Sequence, residues 1–430
     1  MTVAAEAEKP VVGTHRKPPF LRRVQIRNYK SIKFCDVTLE PLTVFVGRNG
    51  SGKSNFLDAL SFFSKLMDLR LEEAVHQHAG LRAIQNRLLD TLNIFVNSNI
   101  SFIVDFDFES QGERLQAHYE LEIGYFERSK MFFINKESLK LINNANSEHN
   151  GSFSRTFSRD KKGYHIDGDS LQLFRSQAID RTVLGSIGNQ PLHELHGPLS
   201  GSRVYNFSSD AMRKHQLISG GPLLAEDGSN IARAIEGMRE ISETDVSMLC
   251  KYMNSVLPYI DEFYTVSYGD FETVQFATTT LLNGKAVSFD ASSMSEGTLR
   301  FLGALVAAYQ YYLPYGHPGF AAIEEPETSL HPAAMHALVE ALDDATGRTQ
   351  ILLTTHSTEL LDNPRIKPEN VRVVEMIDGE TVITPVDEAS LEIVKQKLDT
   401  LGGLERQNQL EINQRDLNRQ RKLAAEAETK

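Results

Sequence analysis

Gly47-Arg48-Asn49-Gly50-Ser51-Gly52-Lys53-Ser54 is a complete P-loop, and its flanks are those the motif requires. Before it, Thr43-Val44-Phe45-Val46 is a β-branched and aromatic run fit for a buried strand. After it, Asn55-Phe56-Leu57-Asp58-Ala59-Leu60 reads as a helix. The glycines let backbone N–H groups turn inward around phosphate oxygens, and the helix N-terminus adds its dipole. Lys53 can reach the β- and γ-phosphates, and the Ser54 hydroxyl can ligate Mg²⁺. Gly47, Asn49, Gly50, Ser51, Gly52, Lys53, Ser54 and Asn55 are therefore the candidate nucleotide-binding residues, with ATP or GTP as ligand and Mg²⁺ as its ion.

Three further stretches carry the chemistry a bound nucleotide would need. Phe320-Ala321-Ala322-Ile323-Glu324-Glu325 is an apolar strand that ends in two carboxylates, the form of a Walker B element. Glu324, with Ser54, is placed to hold Mg²⁺ through its waters. Glu325 is placed to polarise an attacking water as general base. Leu352-Leu353-Thr354-Thr355-His356-Ser357 is another apolar strand, tipped by a histidine. Coming about 31 residues after Glu325 in a P-loop chain, His356 reads as a γ-phosphate sensor. Ser293-Met294-Ser295-Glu296-Gly297-Thr298 precedes an amphipathic helix, and a small Gly-containing turn at a helix N-terminus can bind an anion. Alone it would be a plain helix cap; with the other three it discriminates between classes of P-loop protein.

The bulk properties bound the rest. The 430 residues suffice for one large or two modest domains. Hydrophobic residues at 41% and charged residues at 24% are ordinary for a globular chain. No apolar run approaches the roughly 18 residues that span a membrane, and Met1 to Pro19 lacks the apolar core of a signal peptide. Cys35 and Cys250 make neither a disulfide framework nor a metal cluster. A cytoplasmic protein is expected. The net charge of −12 argues against a uniformly basic nucleic-acid binder. Basic residues do gather near the N-terminus, at Arg16, Lys17, Arg22, Arg23, Arg27, Lys30 and Lys33. They read as a solvated strand edge or as a local phosphate-contacting patch.

Along the chain, residues 1–19 are expected as a flexible tail and 20–92 as the first half of a nucleotide-binding α/β core. Leu21 to Ile26 and Phe34 to Leu39 are strand-like, and Leu57 to Leu92 is largely helical. Residues 93–290 are expected as an insertion. Ile100 to Phe108, Leu115 to Phe126 and Phe132 to Ile142 form an antiparallel meander in it. The Asn-, Ser- and Gly-rich stretch 143–170 reads as a mobile loop, and Ser229 or Asn230 caps a helix from Ile231. Residues 291–400 return to strand–helix alternation. Leu299, Leu302, Val306, Tyr309 and Leu313 share one helix face, Pro332 opens a helix, and Asp378-Gly379 joins a hairpin. Residues 401–430 are expected as a polar helical tail, its last part a solvated, frayed helix rather than a zipper through Leu410 and Leu417.

The order Walker A, signature, Walker B with adjacent glutamate, then histidine switch resembles the ATP-binding-cassette ATPases. The opening Val24-Gln25-Ile26-Arg27-Asn28-Tyr29-Lys30-Ser31-Ile32 is similar to the start of RecF-, SMC- and OLD-like ATPases. The chain looks most like the stand-alone AAA-type ATPases of that group, and Ser357 to Lys430 is too short for the TOPRIM nuclease domain of OLD proteins. The resemblance implies an α/β fold, a P-loop NTPase with an ABC-ATPase-like core interrupted by the β-meander and helical insertion. It implies a homodimer that sandwiches ATP, with Ser295 and Gly297 contacting the γ-phosphate held by the other copy. Gln85 is the candidate Q-loop residue. Glu324 departs from the aspartate of many relatives, and Ser-Glu-Gly-Thr from the transporter signature Ser-Gly-Gly-Gln. The implied function is an ATP-hydrolysing dimer switch acting on DNA, or on a nuclease or toxin effector encoded nearby, in DNA repair or anti-phage defence. The competing readings are a nucleotide-binding scaffold with little hydrolysis, and a transporter ATPase subunit, against which stands the long interval from Lys53 to Glu324.

Overall fold

The computed structural model describes residues 20–86, 99–110, 112–126, 131–143, 153–160, 163–167, 180–186, 192–218, 221–282 and 285–428. Strands β1 (Phe20–Tyr29), β2 (Ile32–Thr38) and β3 (Leu42–Val46) lead into the P-loop and the helix Lys53–Lys65. Strands β4 (Ile100–Ser110), β5 (Glu113–Phe126), β6 (Met131–Asn143), β7 (Phe153–Asp160) and β8 (Gly163–Asp167) follow as a meander. Next come β9 (Arg203–Tyr205), β10 (Gln216–Leu217), β11 (Ile260–Tyr268), β12 (Phe271–Leu282) and β13 (Lys285–Asp290). The chain closes on β14 (Phe320–Glu324), β15 (Gln350–Thr355), β16 (Val371–Ile377) and β17 (Glu380–Pro385), with helices between and after them.

The central sheet has the order β17-β16-β3-β15-β14-β9 and is parallel except for the β16–β17 hairpin. Asp378 and Gly379, at φ 52° and 80°, make the turn of that hairpin. Its middle strands read as continuous apolar runs because both faces are covered. Period-two geometry sends Val44, Val46, Ala321, Ile323, Ile351 and Leu353 into one core, beneath the helices Glu296–Tyr309 and Pro332–Ala345. Phe45, Phe320, Ala322 and Leu352 enter the other, shared with the helix Lys53–Lys65 and an antiparallel sheet. The three strand tips that carry Gly47, Glu324 and His356 thus emerge side by side.

The described strands of the stretch 93–290 enter all three sheets. Strands β4 to β8 continue the sheet that β2 and β1 begin, with Ile26 opposite Phe102. β9 pairs with β14 in the central sheet, and β10 to β13 make a third sheet. β9 has three residues, too few for a period to show in sequence. The loop expected over 143–170 is corrected for its described part: Phe153 to Asp160 and Gly163 to Asp167 are strands. Their Ser and Arg content hid them, yet Phe157 is buried and Arg159 pairs with the buried Glu137 at 2.7 Å. Residues 1–19 and 87–98, where the flexible tail, Arg16, Lys17 and the end of the helical stretch are expected, lie outside the described residues.

Two helix expectations also change. The helix Glu296–Tyr309 stops before Leu313, which is exposed. Gln310 leaves the helix in an extended conformation and donates its side-chain amide to Tyr205 Oη at 2.6 Å; Pro314 disfavours helix at the residue before it. The helix Gln414–Glu428 is neither frayed nor a zipper. Leu410 and Leu417 are buried in the first core. Gln420 accepts from Asp36 N at 3.1 Å and donates to Ile383 O at 2.8 Å, and Arg419 pairs with the buried Asp36. Polar anchors dock this helix, so its low hydrophobicity misread it.

Candidate functional site

The P-loop is shaped by the hairpins on either side of it. A Cβ on Gly47 would lie 2.1 Å from Val374 O of β16. Gly52 has φ 103°, and a Cβ there would lie 1.9 Å from Thr381 Oγ1 of β17; both positions demand glycine. Asn55 donates to Ser31 Oγ at 2.6 Å, Ser31 Oγ lies 2.6 Å from Thr381 Oγ1, and Thr381 donates to Ser51 O at 3.1 Å. This relay ties the loop to the β1–β2 turn. The Asn28-Tyr29-Lys30-Ser31 stretch has a second task there. Tyr29 Oη donates to Asp58 Oδ2 at 2.5 Å, Lys30 Nζ lies 2.6 Å from the same oxygen, and His78 Nδ1 is 3.0 Å from Oδ1. Burial would raise the Asp58 carboxyl, but the bonds from His78, Lys30 and Tyr29 outweigh it and hold it well below the usual carboxylate range. The helix after the P-loop is thereby fixed to the first sheet.

Lys53, buried, donates to the carbonyls of Gly47 and Arg48, the latter at 3.1 Å. Burial lowers its pKa against the carboxylates of Glu325, Glu405, Glu327 and Glu324, which act the other way. Ser54 Oγ donates to Glu324 Oε2 at 3.0 Å. Burial and then the neighbouring Glu325 push the Glu324 carboxyl up, the Ser54 bond opposing them. A hydroxyl and a carboxylate at this distance, in a place where negative charge is costly, suit a small divalent cation that completes its shell with water and phosphate oxygens.

Glu325 has φ 44°, a left-handed backbone that a non-glycine residue adopts at a cost of about 1–3 kcal/mol. Its N–H is held by Thr354, donating to O at 3.0 Å and to Oγ1 at 3.3 Å. Its Oε1 lies 3.5 Å from His356 Nδ1. Lys53, Ser54, Glu324, Glu325 and His356 are therefore brought together. Gln85 bridges Tyr29 through its backbone, and among the described residues no hydrogen bond joins it to Ser54 or Glu324. Ser295 caps the helix Glu296–Tyr309, accepting from Thr298 N at 3.2 Å. A Cβ on Gly297 would lie 2.3 Å from Ser329 O, so the signature turn packs on the loop after β14. Among the described residues, no hydrogen bond or ion pair links Ser295 or Gly297 to the P-loop of the same chain.

Sequence reasoning missed two groups here. Glu327 is buried; its Oε1 accepts from Thr355 Oγ1, which in turn accepts from Ser357 N at 2.9 Å. It thus links the turn bearing Glu325 to the turn bearing His356. The third carboxylate of Glu324-Glu325-Pro326-Glu327 was its signal. Glu405 and Asn408 reach the P-loop from the stretch read as a tail, and no sequence signal marks them. Of the described basic residues near the N-terminus, Arg23 pairs with Asp36, Lys30 with Asp58 and Lys33 with Glu380, Arg27 donates to Leu423 O at 3.3 Å, and Arg22 is exposed. Among the described residues no helix is long and apolar enough to cross a membrane.

Residues 42–362 match the family described as "AAA domain, putative AbiEii toxin, Type IV TA system". The chain is 29% identical over 126 residues to the DNA replication and repair protein RecF of Leptospira biflexa, an alignment spanning 29% of each chain. It is 22% identical over 424 residues to the Retron Vc95 probable ATPase of Vibrio cholerae, covering 83% of this chain and 74% of that one. Among solved structures it is similar to the SMC head domain from Thermotoga maritima, with 14% identity, a TM-score of 0.41, and coverage of 86% of this chain and 99% of that one.

Proposed function

The chain belongs to this AAA-domain family and is similar to RecF and to a retron ATPase, and on that premise we propose that it binds and hydrolyses ATP as a nucleotide-driven dimer switch. The observation that carries the proposal is the convergence beside the P-loop of Ser54 with Glu324, at 3.0 Å, and of Glu325 with His356, at 3.5 Å. Lys53 would leave its own loop's carbonyls for the β- and γ-phosphates. Ser54 and Glu324 would hold Mg²⁺, which neutralises charge on the phosphates. Glu325 would orient a water in line with the γ-phosphorus and accept its proton, and His356, beside it, would hydrogen-bond the γ-phosphate. Ser295 and Gly297 would meet the phosphate of a second copy, since among the described residues no hydrogen bond or ion pair joins them to their own P-loop. The names of the relatives, one a DNA replication and repair protein and one a retron ATPase, support action on DNA or on an effector in repair or anti-phage defence.

Phosphate release and nucleotide binding, measured on Glu325→Gln, test this reading. Glutamine keeps the shape but cannot take the proton, so ATP binding should persist while turnover falls by about 10²–10⁴. Glu324→Gln should weaken Mg²⁺ dependence as well. Turnover at the parent rate in Glu325→Gln would remove Glu325 from the chemistry.

A further inference from the structure

The segment Leu401–Leu410 lines a cavity with P-loop residues 47–51. The helix Leu401–Arg406 is clamped to the helix Thr358–Leu361 that follows His356: Gly402 N donates to Asp362 Oδ1 at 2.9 Å, and a Cβ on Gly402 would sit 2.1 Å from Thr358 O. Arg406 reaches Thr358 Oγ1 at 3.3 Å. The chain then turns at Asn408, φ 54°, whose Oδ1 accepts from Arg48 at 3.0 Å. Between this segment, the end of β16 and P-loop residues 47–51 lies a cavity of about 390 Å³, lined by Arg48, Glu375, Glu405 and Asn408 among others. Arg48 and Glu375 line the cavity with Glu405, and the charges that act on its carboxylate are those of Lys53, Arg48 and Glu375. Burial raises its pKa and the two cations oppose that rise, so it stands as a half-buried counter-ion of the P-loop.

We propose that Leu401–Leu410 is a wall of the nucleotide site, and that Glu405 is a specificity-determining residue that opposes the terminal phosphate of ATP. The proposal rests on the reading of the P-loop as an ATP site. Glu405 shares the cavity with Arg48 and acts on Lys53 through space; the terminal charge of a triphosphate would meet the same cations and be repelled by the carboxylate beside them. ADP carries less charge in that region and is repelled less. The helix is rigidly joined to the residues after His356, so displacement of Glu405 would be felt at the γ-phosphate sensor.

Calorimetric titration of the full chain with Mg-ATP and with Mg-ADP tests it, using Glu405→Gln and, as a second charge-removing variant, Glu405→Ala. Loss of one like charge in a partly solvated site should tighten ATP binding by about tenfold and ADP binding by less. Unfolding without nucleotide checks that each variant is folded. Unchanged or weaker ATP affinity in a folded variant overturns the proposal, as does equal tightening for ATP and ADP. Failure of the parent chain itself to bind ATP would instead refute the P-loop reading, and this proposal with it.

Discussion

Glu327 has one carboxylate oxygen bonded to Thr355 and the other, Oε2, buried with no partner among the described residues. Burial raises its pKa, the Thr355 bond opposing. The arrangement makes Thr355 a positioning residue for two turns at once, because its hydroxyl also accepts from Ser357 N. Thr355→Val should leave a buried carboxyl unpaired and destabilise the protein by about 1–3 kcal/mol. Since the P-loop is untouched, turnover should fall more than ATP binding weakens. Thr355→Ser keeps the hydroxyl and should restore both. Denaturant melts and phosphate release on the two variants decide it; a valine variant of parent stability would mean that the pair holds nothing in place. At this scale the sequence was informative where a motif fixes residue type and order, as in Gly47 to Ser54 or Glu324-Glu325. It was silent on Ser31, Thr381 and Glu405, which reach the P-loop only through the fold.

Elements were legible where one period ran long enough. β3, β14 and β15 are buried on both faces and read as apolar runs; β4, β5 and β6 alternate. β9 is too short to show a period, and β7 alternates with Ser and Arg in place of plain polar residues. The C-terminal helix was the largest misreading, because its attachment is ionic. Asp36 is buried between Arg23, at 2.6 Å, and Arg419. Burial would raise its carboxyl, but the hydrogen bonds from Arg23 and Arg419 hold it below the ordinary value. A depressed carboxyl stabilises the fold above the unfolded value of about 3.9, and this contribution is lost as pH falls through the folded value. Asp36→Asn should therefore cost about 1–3 kcal/mol at pH 7, both arginines being partly solvated. The gap between variant and parent should close below about pH 4. Urea melts across pH would show it, and a gap that widens in acid would mean that Asp36 does not anchor the helix through its charge.

For the whole molecule the question is where the signature turn acts. Its own chain packs Gly297 on Ser329 and caps the helix with Ser295, and among the described residues no hydrogen bond carries either to Lys53 or Ser54. An anion site at a helix N-terminus gains from phosphate only within its first turn, so a site this arranged is useful to a phosphate presented from outside the chain. A second copy, turned head to tail, would present one at its P-loop, and two equivalent contacts would then close the pair. On this reading ATP is the glue, and hydrolysis at Glu325 releases it. Glu325→Gln should accumulate an ATP-bound dimer, measurable as mass by light scattering with and without ATP. Adding Ser295→Arg should abolish that dimer, because the arginine fills the turn where the partner's phosphate would sit. ATP binding to each separate chain should remain, since Lys53 and Ser54 are unchanged. An ATP-dependent dimer that survives Ser295→Arg would place the contact between copies elsewhere and leave the signature turn a helix cap.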